Sequence, residues 1–227
     1  MVSRTAVSLA SAIVADTSGI ISLVATGVSR EILTTLPAPL RVVRTVLEEL
    51  EAGRKRWTTL DEANALLSEG YIVLVDLDEV ALRQFESMVV GPAADTLDDG
   101  EAATIAYAAS EGIGALIDEK KAWRLCRERF PVVEIMSTAS LLMCTRTTSA
   151  LGLPRVGNAL FNALTSTRMR VPDTEVANVI ALLGSERIAQ CTSLPLRFRE
   201  AARVPSRLEA NGAEQQHKSR LERHRQG

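Results

Sequence analysis

Short apolar runs recur along the first 140 residues and are separated by longer segments in which apolar residues return with a helical period. The continuous apolar run at 71–75 is typical of a strand that is covered on both faces of a sheet. The pattern predicts five strands, at residues 12–15, 40–43, 71–75, 114–117 and 132–133.

The segments between these runs predict helices. Ser18 is the expected N-cap of the first helix, which Gly27 ends, and Ser29 is the expected cap of the second. Thr59 and Glu62 have the spacing of a capping box. Further helices are predicted at 43–50, 78–90, 98–110 and 119–130. Strands that alternate with helices predict an α/β fold, in which a doubly wound parallel sheet is the middle layer of a three-layer α/β/α core.

The strand pattern ends near residue 150, and helical segments follow at 156–166 and 174–183. We therefore divide the chain into a sheet domain at 11–140, a C-terminal helical extension at 141–193 and a flexible tail at 194–227. The tail holds eight Lys or Arg against four Glu and therefore carries a charge of +4. Because the whole chain has a net charge of −2, the residues before the tail carry −6. The tail is therefore a candidate for contact with phosphates.

Composition narrows the class of protein. With 46% apolar and 24% charged residues, the chain can bury one sizeable core. The three cysteines, Cys126, Cys144 and Cys191, are far apart and lack the spacing of metal ligands, which is typical of buried thiols in the cytoplasm. No apolar run approaches the roughly eighteen residues of a membrane span, and residues 6–14 are interpreted as leading into a strand rather than as a secretory signal.

Four acidic residues stand where an apolar run meets a turn or a helix: Asp16, Glu49, Glu101 and Asp118. The carboxyl ends of parallel strands meet at one edge of a sheet, so the acids at strand ends are expected to converge there. Carboxylates are the ligands that Mg²⁺ and Mn²⁺ prefer. An Asp at a strand end also suits a helix cap, and only the joint occurrence of these acids indicates a metal site.

The positions of two of these acids leave alternatives open. Glu101 shares a helix face with Ile105 and is expected to point toward the sheet, but Asp98 three residues earlier also gives it the spacing of a capping box. Near residue 49, the helical period places Glu48 opposite the apolar stripe and places both Glu49 and Glu51 on its shoulders.

Four sequence strings, VADTS at 14–18, VLEEL at 46–50, DGEAATIA at 99–106 and LIDE at 116–119, resemble prokaryotic PIN domains in order and spacing. The resemblance covers residues 11–140. It implies an α/β/α nuclease fold in which clustered acids bind Mg²⁺ or Mn²⁺ and hydrolyse RNA, commonly as the toxin of a toxin–antitoxin pair. The expected partners are an RNA substrate, an antitoxin protein and a second copy of the chain.

Carried over to this sequence, the resemblance makes Asp16, Glu49, Glu101 and Asp118 the metal-binding and catalytic acids. It also implies that a hydroxyl of Thr17 or Ser18 supports Asp16, and it leaves Glu119 as an alternative to Asp118. The implied reaction is metal-assisted hydrolysis of a phosphodiester bond. Basic residues must then hold the phosphates of the RNA. Arg54, Lys55 and Arg56 form a candidate surface patch for this contact.

Two other functions compete with this interpretation. Asp76 and Asp78 after the run at 71–75 resemble the first motif of haloacid dehalogenase-type phosphatases, in which one Asp attacks phosphate and the next is a general acid. The sequence lacks the Lys and paired-Asp elements expected downstream, so a turn and a helix cap explain these residues as well. The other alternative is a non-catalytic interaction protein that keeps the same fold.

Overall fold

The structure, a computed structural model, describes residues 12–53 and 57–203. In this part of the chain five parallel strands form one sheet in the order β3-β2-β1-β4-β5. The strands are β1 Ile13–Ala15, β2 Leu40–Val43, β3 Ile72–Val75, β4 Gly114–Leu116 and β5 Ile135–Met136. The parallel sheet predicted from the alternating pattern is confirmed.

Helices cover both faces of this sheet. They are α1 Thr17–Ala25, α2 Ser29–Leu33, α3 Arg44–Ala52, α4 Trp57–Ser68, α5 Glu79–Val89, α6 Asp99–Glu111, α7 Lys120–Arg129, α8 Thr138–Met143, α9 Thr145–Leu151, α10 Leu153–Ser166, α11 Val176–Ile188 and α12 Leu196–Arg203. Side chains of β1 point alternately to two apolar cores, Ile13 and Ala15 to one and Val14 to the other. The first core lies under α1, α4, α8, α10 and α11, and the second lies under α5, α6 and α7. The three-layer α/β/α fold is therefore confirmed.

Strand order fixes where a site can form. The chain builds the sheet outward from β1 to β2 and β3, and then returns to the other side of β1 to place β4. The carboxyl ends of β1 and β4 therefore flank the switch point of the sheet, where open α/β sheets leave a crevice. Asp16 directly follows β1, and Asp118 comes two residues after β4.

Two strand predictions need correction. The strand at 71–75 was expected to be covered on both faces, but β3 is the edge of the sheet and Val73 is 45% exposed. The last strand was expected at 132–133, but β5 is Ile135–Met136, and Val132 is 87% exposed in a turn. In both cases strand pairing decides the outcome, and an apolar run alone does not specify which neighbour a strand has.

Three helix-start predictions are also wrong. Asp16, rather than Ser18, caps α1, since its carboxylate accepts the Gly19 N–H. Ser29 lies inside α2, whose N-cap makes no side-chain hydrogen bond. Thr59 lies inside α4, which begins earlier than a capping box at 59–62 allows, and Glu62 pairs with Arg30 on the surface.

Helices after residue 140 share the core of the sheet domain. Val156 and Leu160 of α10 and Val179 of α11 are buried in the same apolar cluster as Leu23 and Leu50. Helices α8 and α9 had no predicted counterpart. Within the predicted tail, α12 is helical, and residues 204–227 lie outside the described part of the chain. Among the described helices, none is long and apolar enough to cross a membrane.

Candidate active site

Asp16 lies at the end of the central strand and is only 1% exposed. Its carboxylate accepts hydrogen bonds from the Gly19 N–H at 2.6 Å and from the Ser18 hydroxyl at 2.7 and 2.9 Å. Gly19 is required for this arrangement, because a Cβ there would lie 2.8 Å from the Leu116 carbonyl oxygen. Ser18 is therefore the hydroxyl that contacts Asp16, while its neighbour Thr17 points elsewhere.

Asp118 lies across the switch point from Asp16 and is also buried. Its backbone N–H donates to the Ser18 hydroxyl at 3.0 Å, so one side chain of α1 connects both strand ends. Its Oδ1 accepts the Thr138 N–H at 2.9 Å. Its Oδ2 is buried and has no hydrogen-bond partner among the described residues. A buried carboxylate oxygen without a partner carries an energetic penalty that a bound cation would remove.

Glu49 is the acid of α3 that faces this region. It accepts a short hydrogen bond from the Thr17 hydroxyl and a second from the Gly100 N–H at 2.7 Å. Glu48 and Glu51 are both exposed. Helical periodicity left Glu49 and Glu51 as equal alternatives, and these contacts with α1 and α6 place Glu49 at the site.

Glu101 lies in the first turn of α6 and is 9% exposed. Asp98 is the N-cap of this helix and accepts the Glu101 N–H at 3.1 Å. The two interpretations of this segment are therefore compatible, because the backbone of Glu101 takes part in the cap while its side chain lines a cavity with the other acids.

The cavity has a volume of about 1180 Å³ and brings together acids from separate elements. Its acidic lining consists of Asp16, Glu49, Asp98, Glu101, Asp118 and Glu119. Asp98 was assigned only a capping role from the sequence, although its position three residues before Glu101 gave a signal that it lies nearby. A polar rim completes the cavity and was not predicted; it consists of Thr58, Thr59, Thr165, Ser166, Thr167, Arg168 and Thr192.

Burial and mutual repulsion perturb these carboxyl groups. Burial raises the pKa of Asp16 to about 8; hydrogen bonds from Ser18 and the Gly19 N–H oppose this shift, and the charges of Asp118 and Asp98 act in its direction. Burial also raises the pKa of Glu101 to about 8, with the charges of Asp98, Asp16 and Glu119 acting in the same direction. For Asp118, burial raises the pKa to about 6, although the Ser22 side chain, the N–H and side chain of Thr138 and the charge of Arg170 oppose this shift. Without a cation, Asp16 and Glu101 hold protons near neutral pH.

The donor set fits a hard divalent cation in its chemistry. The acids that line the cavity offer only carboxylate oxygens, and Asp118 Oδ2 has no hydrogen-bond partner among the described residues. However, no three of the described His, Cys, Asp or Glu side chains converge closely enough to form a ready-made metal site. The carboxylates line one cavity but would have to move toward each other to share an ion.

Comparison with models of protein families shows to which family the chain belongs. A family model described as a PIN domain matches residues 12–185, from the first strand into α11. The chain belongs to the PIN-domain family. PIN domains have a nuclease-type fold, and the family generally hydrolyses nucleic acids. No curated protein matches the chain.

The two candidates of the phosphatase motif, Asp76 and Asp78, do not line the acidic cavity of the PIN domain. Asp76 is exposed and pairs with Arg44 at 2.8 Å, which lowers the pKa of its carboxyl group. Asp78 is the N-cap of α5 and accepts the Ala81 N–H. These contacts explain Asp76 as part of a turn and Asp78 as a helix cap. This is the interpretation that the sequence offered in place of the phosphatase motif. The basic patch of Arg54, Lys55 and Arg56 lies outside the described residues.

Proposed function

We propose that this PIN domain is a divalent-metal-dependent endoribonuclease, with Mg²⁺ or Mn²⁺ bound by Asp16, Glu49, Glu101 and Asp118. One observation supports this proposal most directly. Carboxylates from four separate elements line a single cavity at the switch point of the sheet, and Asp118 Oδ2 lacks a hydrogen-bond partner there. In other positions such a concentration of buried acids would only destabilise the fold.

The residues around the acids prepare them for this task. The Ser18 hydroxyl and the Gly19 N–H fix Asp16, while the Thr17 hydroxyl and the Gly100 N–H fix Glu49. A cation bound by these groups supplies Lewis-acid activation of water and neutralises charge on the transferring phosphoryl group. Without a cation, the raised pKa of Glu101, about 8, keeps its carboxyl group protonated near neutral pH, so binding of the cation would release a proton from it.

Cleavage of a synthetic RNA by the purified full-length protein tests the proposal. We expect cleavage with Mg²⁺ or Mn²⁺ and none with EDTA. Attack by water with departure of the 3′-oxygen leaves a 5′-phosphate and a 3′-hydroxyl, whereas attack by the 2′-hydroxyl leaves a 2′,3′-cyclic phosphate. Mass spectrometry of the products distinguishes these ends. Intact RNA at all metal concentrations, or cyclic phosphate products, would contradict the proposal.

A second candidate function is a non-catalytic binding protein that keeps the PIN fold. The observation that favours it is the absence of a ready-made three-ligand metal site among the described residues. Isothermal titration with Mn²⁺ separates the two functions, because a binding protein of this kind has no need to bring its carboxylates together around an ion. Saturable Mn²⁺ binding that Asp118→Asn weakens supports the nuclease.

The biological setting inferred from the PIN resemblance also remains a proposal. We infer that the protein acts in the cytoplasm as the toxin of a toxin–antitoxin pair, as a homodimer that an antitoxin protein neutralises. Growth arrest on expression of the chain, relieved by co-expression of a neighbouring small gene, supports this role. Normal growth with active protein present would contradict it.

Gly100→Ala is expected to lower RNA cleavage about 10- to 100-fold, because loss of positioning by about 1 Å costs this much in other enzymes. A Cβ at residue 100 would lie 2.8 Å from Glu49 Cδ, so the Glu49 carboxylate must leave its place beside the Gly100 N–H. The end of a flexible side chain can move away, so the thermal midpoint is expected to change little. Initial rates and thermal melts measure the two effects.

Gly157→Ala is the matched control for this substitution. Gly157 also lies in a helix, but a Cβ there would meet Leu182 Cγ at 3.7 Å, which is ordinary van der Waals contact. This variant is expected to cleave at the wild-type rate. Equal rates for Gly100→Ala and Gly157→Ala would show that the position of Glu49 does not matter for cleavage.

A further inference from the structure

A second cavity, of about 650 Å³, adjoins the acidic cavity, since Glu119 lines both. Its lining comes mainly from the outer face of α7 and is rich in positive charge. We call this lining the α7 basic surface; it consists of Lys120, Lys121, Trp123, Arg124, Arg127 and Arg170, together with the acids Glu119 and Glu128. Five positive side chains against two negative ones leave a net charge of +3 beside the acidic cavity.

Trp123 gives this surface a rigid centre. It is 7% exposed, and its indole N–H donates to the Ile117 carbonyl oxygen at 2.7 Å, next to Asp118. The guanidinium groups of Arg127 and Arg170 lie 5.0 and 5.4 Å from the centre of its ring. Cation–π contact of this kind holds both cations in place without neutralising their charge.

The charges of the α7 basic surface are mostly unpaired. Lys120, Lys121, Arg127 and Arg170 form no ion pair with any described residue, and only Arg124 pairs, with Glu128 at 3.0 Å. Elsewhere on the described surface, Arg30, Arg41, Arg44 and Arg155 each pair with a carboxylate, whereas Arg146 and Arg168 form no ion pair with a described residue. Four unpaired cations that line one cavity indicate a surface that binds an anionic partner.

One nitrogen of the Arg170 side chain also lacks an acceptor in the described part of the chain. Its Nη1 is buried and has no hydrogen-bond partner among the described residues. A buried guanidinium N–H without an acceptor is costly, and the oxygens of a phosphate match the planar geometry of a guanidinium, as those of a carboxylate do. Its charge also lowers the pKa of Asp118, so Arg170 acts electrostatically on an acid of the first cavity while it lines the second.

We propose that the α7 basic surface binds the phosphate backbone of the RNA strand next to the segment that enters the acidic cavity. This inference rests on the proposed function, since it assigns the same substrate to the neighbouring surface. The acidic cavity repels phosphates, so a nearby positive surface is required to hold the strand. Arg127 and Arg170, fixed over Trp123, contact backbone phosphates, and Lys120 and Lys121 extend the positive surface toward Glu119.

RNA binding by the full-length Asp16→Asn protein tests this surface independently of cleavage. Fluorescence anisotropy of a labelled single-stranded RNA, in Mg²⁺ and over a range of salt concentrations, gives Kd and its salt dependence. Adding Lys120→Gln and Arg127→Gln, both at exposed positions, is expected to weaken binding about tenfold or more. Each phosphate contact that is lost should reduce the slope of log K against log salt by about 0.7, or about 1.4 for both.

Arg83→Gln with Arg155→Gln is the matched control, because both residues are exposed arginines that pair with carboxylates away from α7. This control is expected to keep the wild-type Kd and slope. Arg170→Lys adds a second test, since it keeps the charge but removes the planar guanidinium; weaker binding with an unchanged slope is expected. Thermal melts confirm that each variant is folded.

The outcomes separate this inference from the proposed function. A slope for the α7 double variant equal to that of the control, or no RNA binding at all, overturns the inference and leaves an acidic protein as the partner of this surface. If the α7 variant binds weakly as expected but the wild-type protein does not cleave RNA, the surface is correct and the nuclease function is wrong.

Discussion

Asp16→Asn is expected to reduce metal-dependent RNA cleavage on the order of 10³-fold or more, the scale seen when a catalytic carboxylate is removed. Asp16 is buried, lines the acidic cavity directly after β1 and accepts a hydrogen bond from the Ser18 hydroxyl. Asn remains a good N-cap and can accept the Gly19 N–H, so α1 should stay in place. Initial rates with a synthetic RNA, together with a thermal melt, measure activity and fold separately.

Asp76→Asn is the matched control for this prediction. The substitution has the same chemistry, but Asp76 is exposed, pairs with Arg44 and does not line the acidic cavity. It is expected to cleave RNA at the wild-type rate. Wild-type activity in Asp16→Asn, with contaminating nuclease excluded, would contradict the assignment of the metal site.

Mg²⁺ is expected to raise the thermal midpoint, and to raise it more at pH 8 than at pH 6. At a concentration a hundredfold above its Kd, a ligand stabilises a fold by about 2.7 kcal/mol, roughly 5–10 °C for a protein of this size. Deprotonated carboxylates bind the ion, and the raised pKa values of Asp16 and Glu101, both about 8, keep these groups protonated at lower pH.

The metal-free protein should show the opposite dependence on pH. Carboxyl groups in the unfolded chain titrate near pH 4, whereas Asp16 and Glu101 in the fold titrate at about 8. Between these values the folded state binds more protons than the unfolded state, so stability falls as pH rises from about 4 to 8. Thermal melts in EDTA at several pH values measure this trend.

Glu101→Gln is expected to change both the stability of the metal-free protein and the stabilisation by Mg²⁺. Removing this carboxyl group should stabilise the metal-free protein at pH 8 and should shrink the shift produced by Mg²⁺, because one ligand and one repelling charge are lost together. Identical melting curves with and without millimolar Mg²⁺ at both pH values would favour the non-catalytic binding protein.

Local sequence patterns were sufficient for features that depend on neighbouring residues. The strand at 40–43 was predicted with its observed bounds, because its apolar run is bounded by Pro39 and by a helix start. Asp16 and Asp118 were found because each follows an apolar run directly, and a parallel sheet brings strand ends together. The order of secondary-structure elements therefore predicted the position of the cavity.

Features that depend on distant contacts could not be predicted in this way. Glu49 and Glu51 occupy equivalent shoulders of α3, and the choice between them is made by Thr17 and Gly100, which are 32 and 51 residues away from Glu49. The exposure of β3 depends on its place at the edge of the sheet rather than on its composition. The contact of Arg170 with Trp123 likewise joins two parts of the chain that no local pattern connects.

The polar rim has an evolutionary consequence. The acids of the cavity lie between residues 16 and 119, whereas Thr165, Ser166, Thr167, Arg168 and Thr192 of the rim belong to α10 and the segments that follow it. Hydrogen bonds within the later segment, such as Ser193 to the Leu164 carbonyl oxygen at 2.8 Å, hold that wall together. Mutations can therefore remodel the wall and change what the cavity accepts, while the acids proposed to perform the chemistry are inherited unchanged.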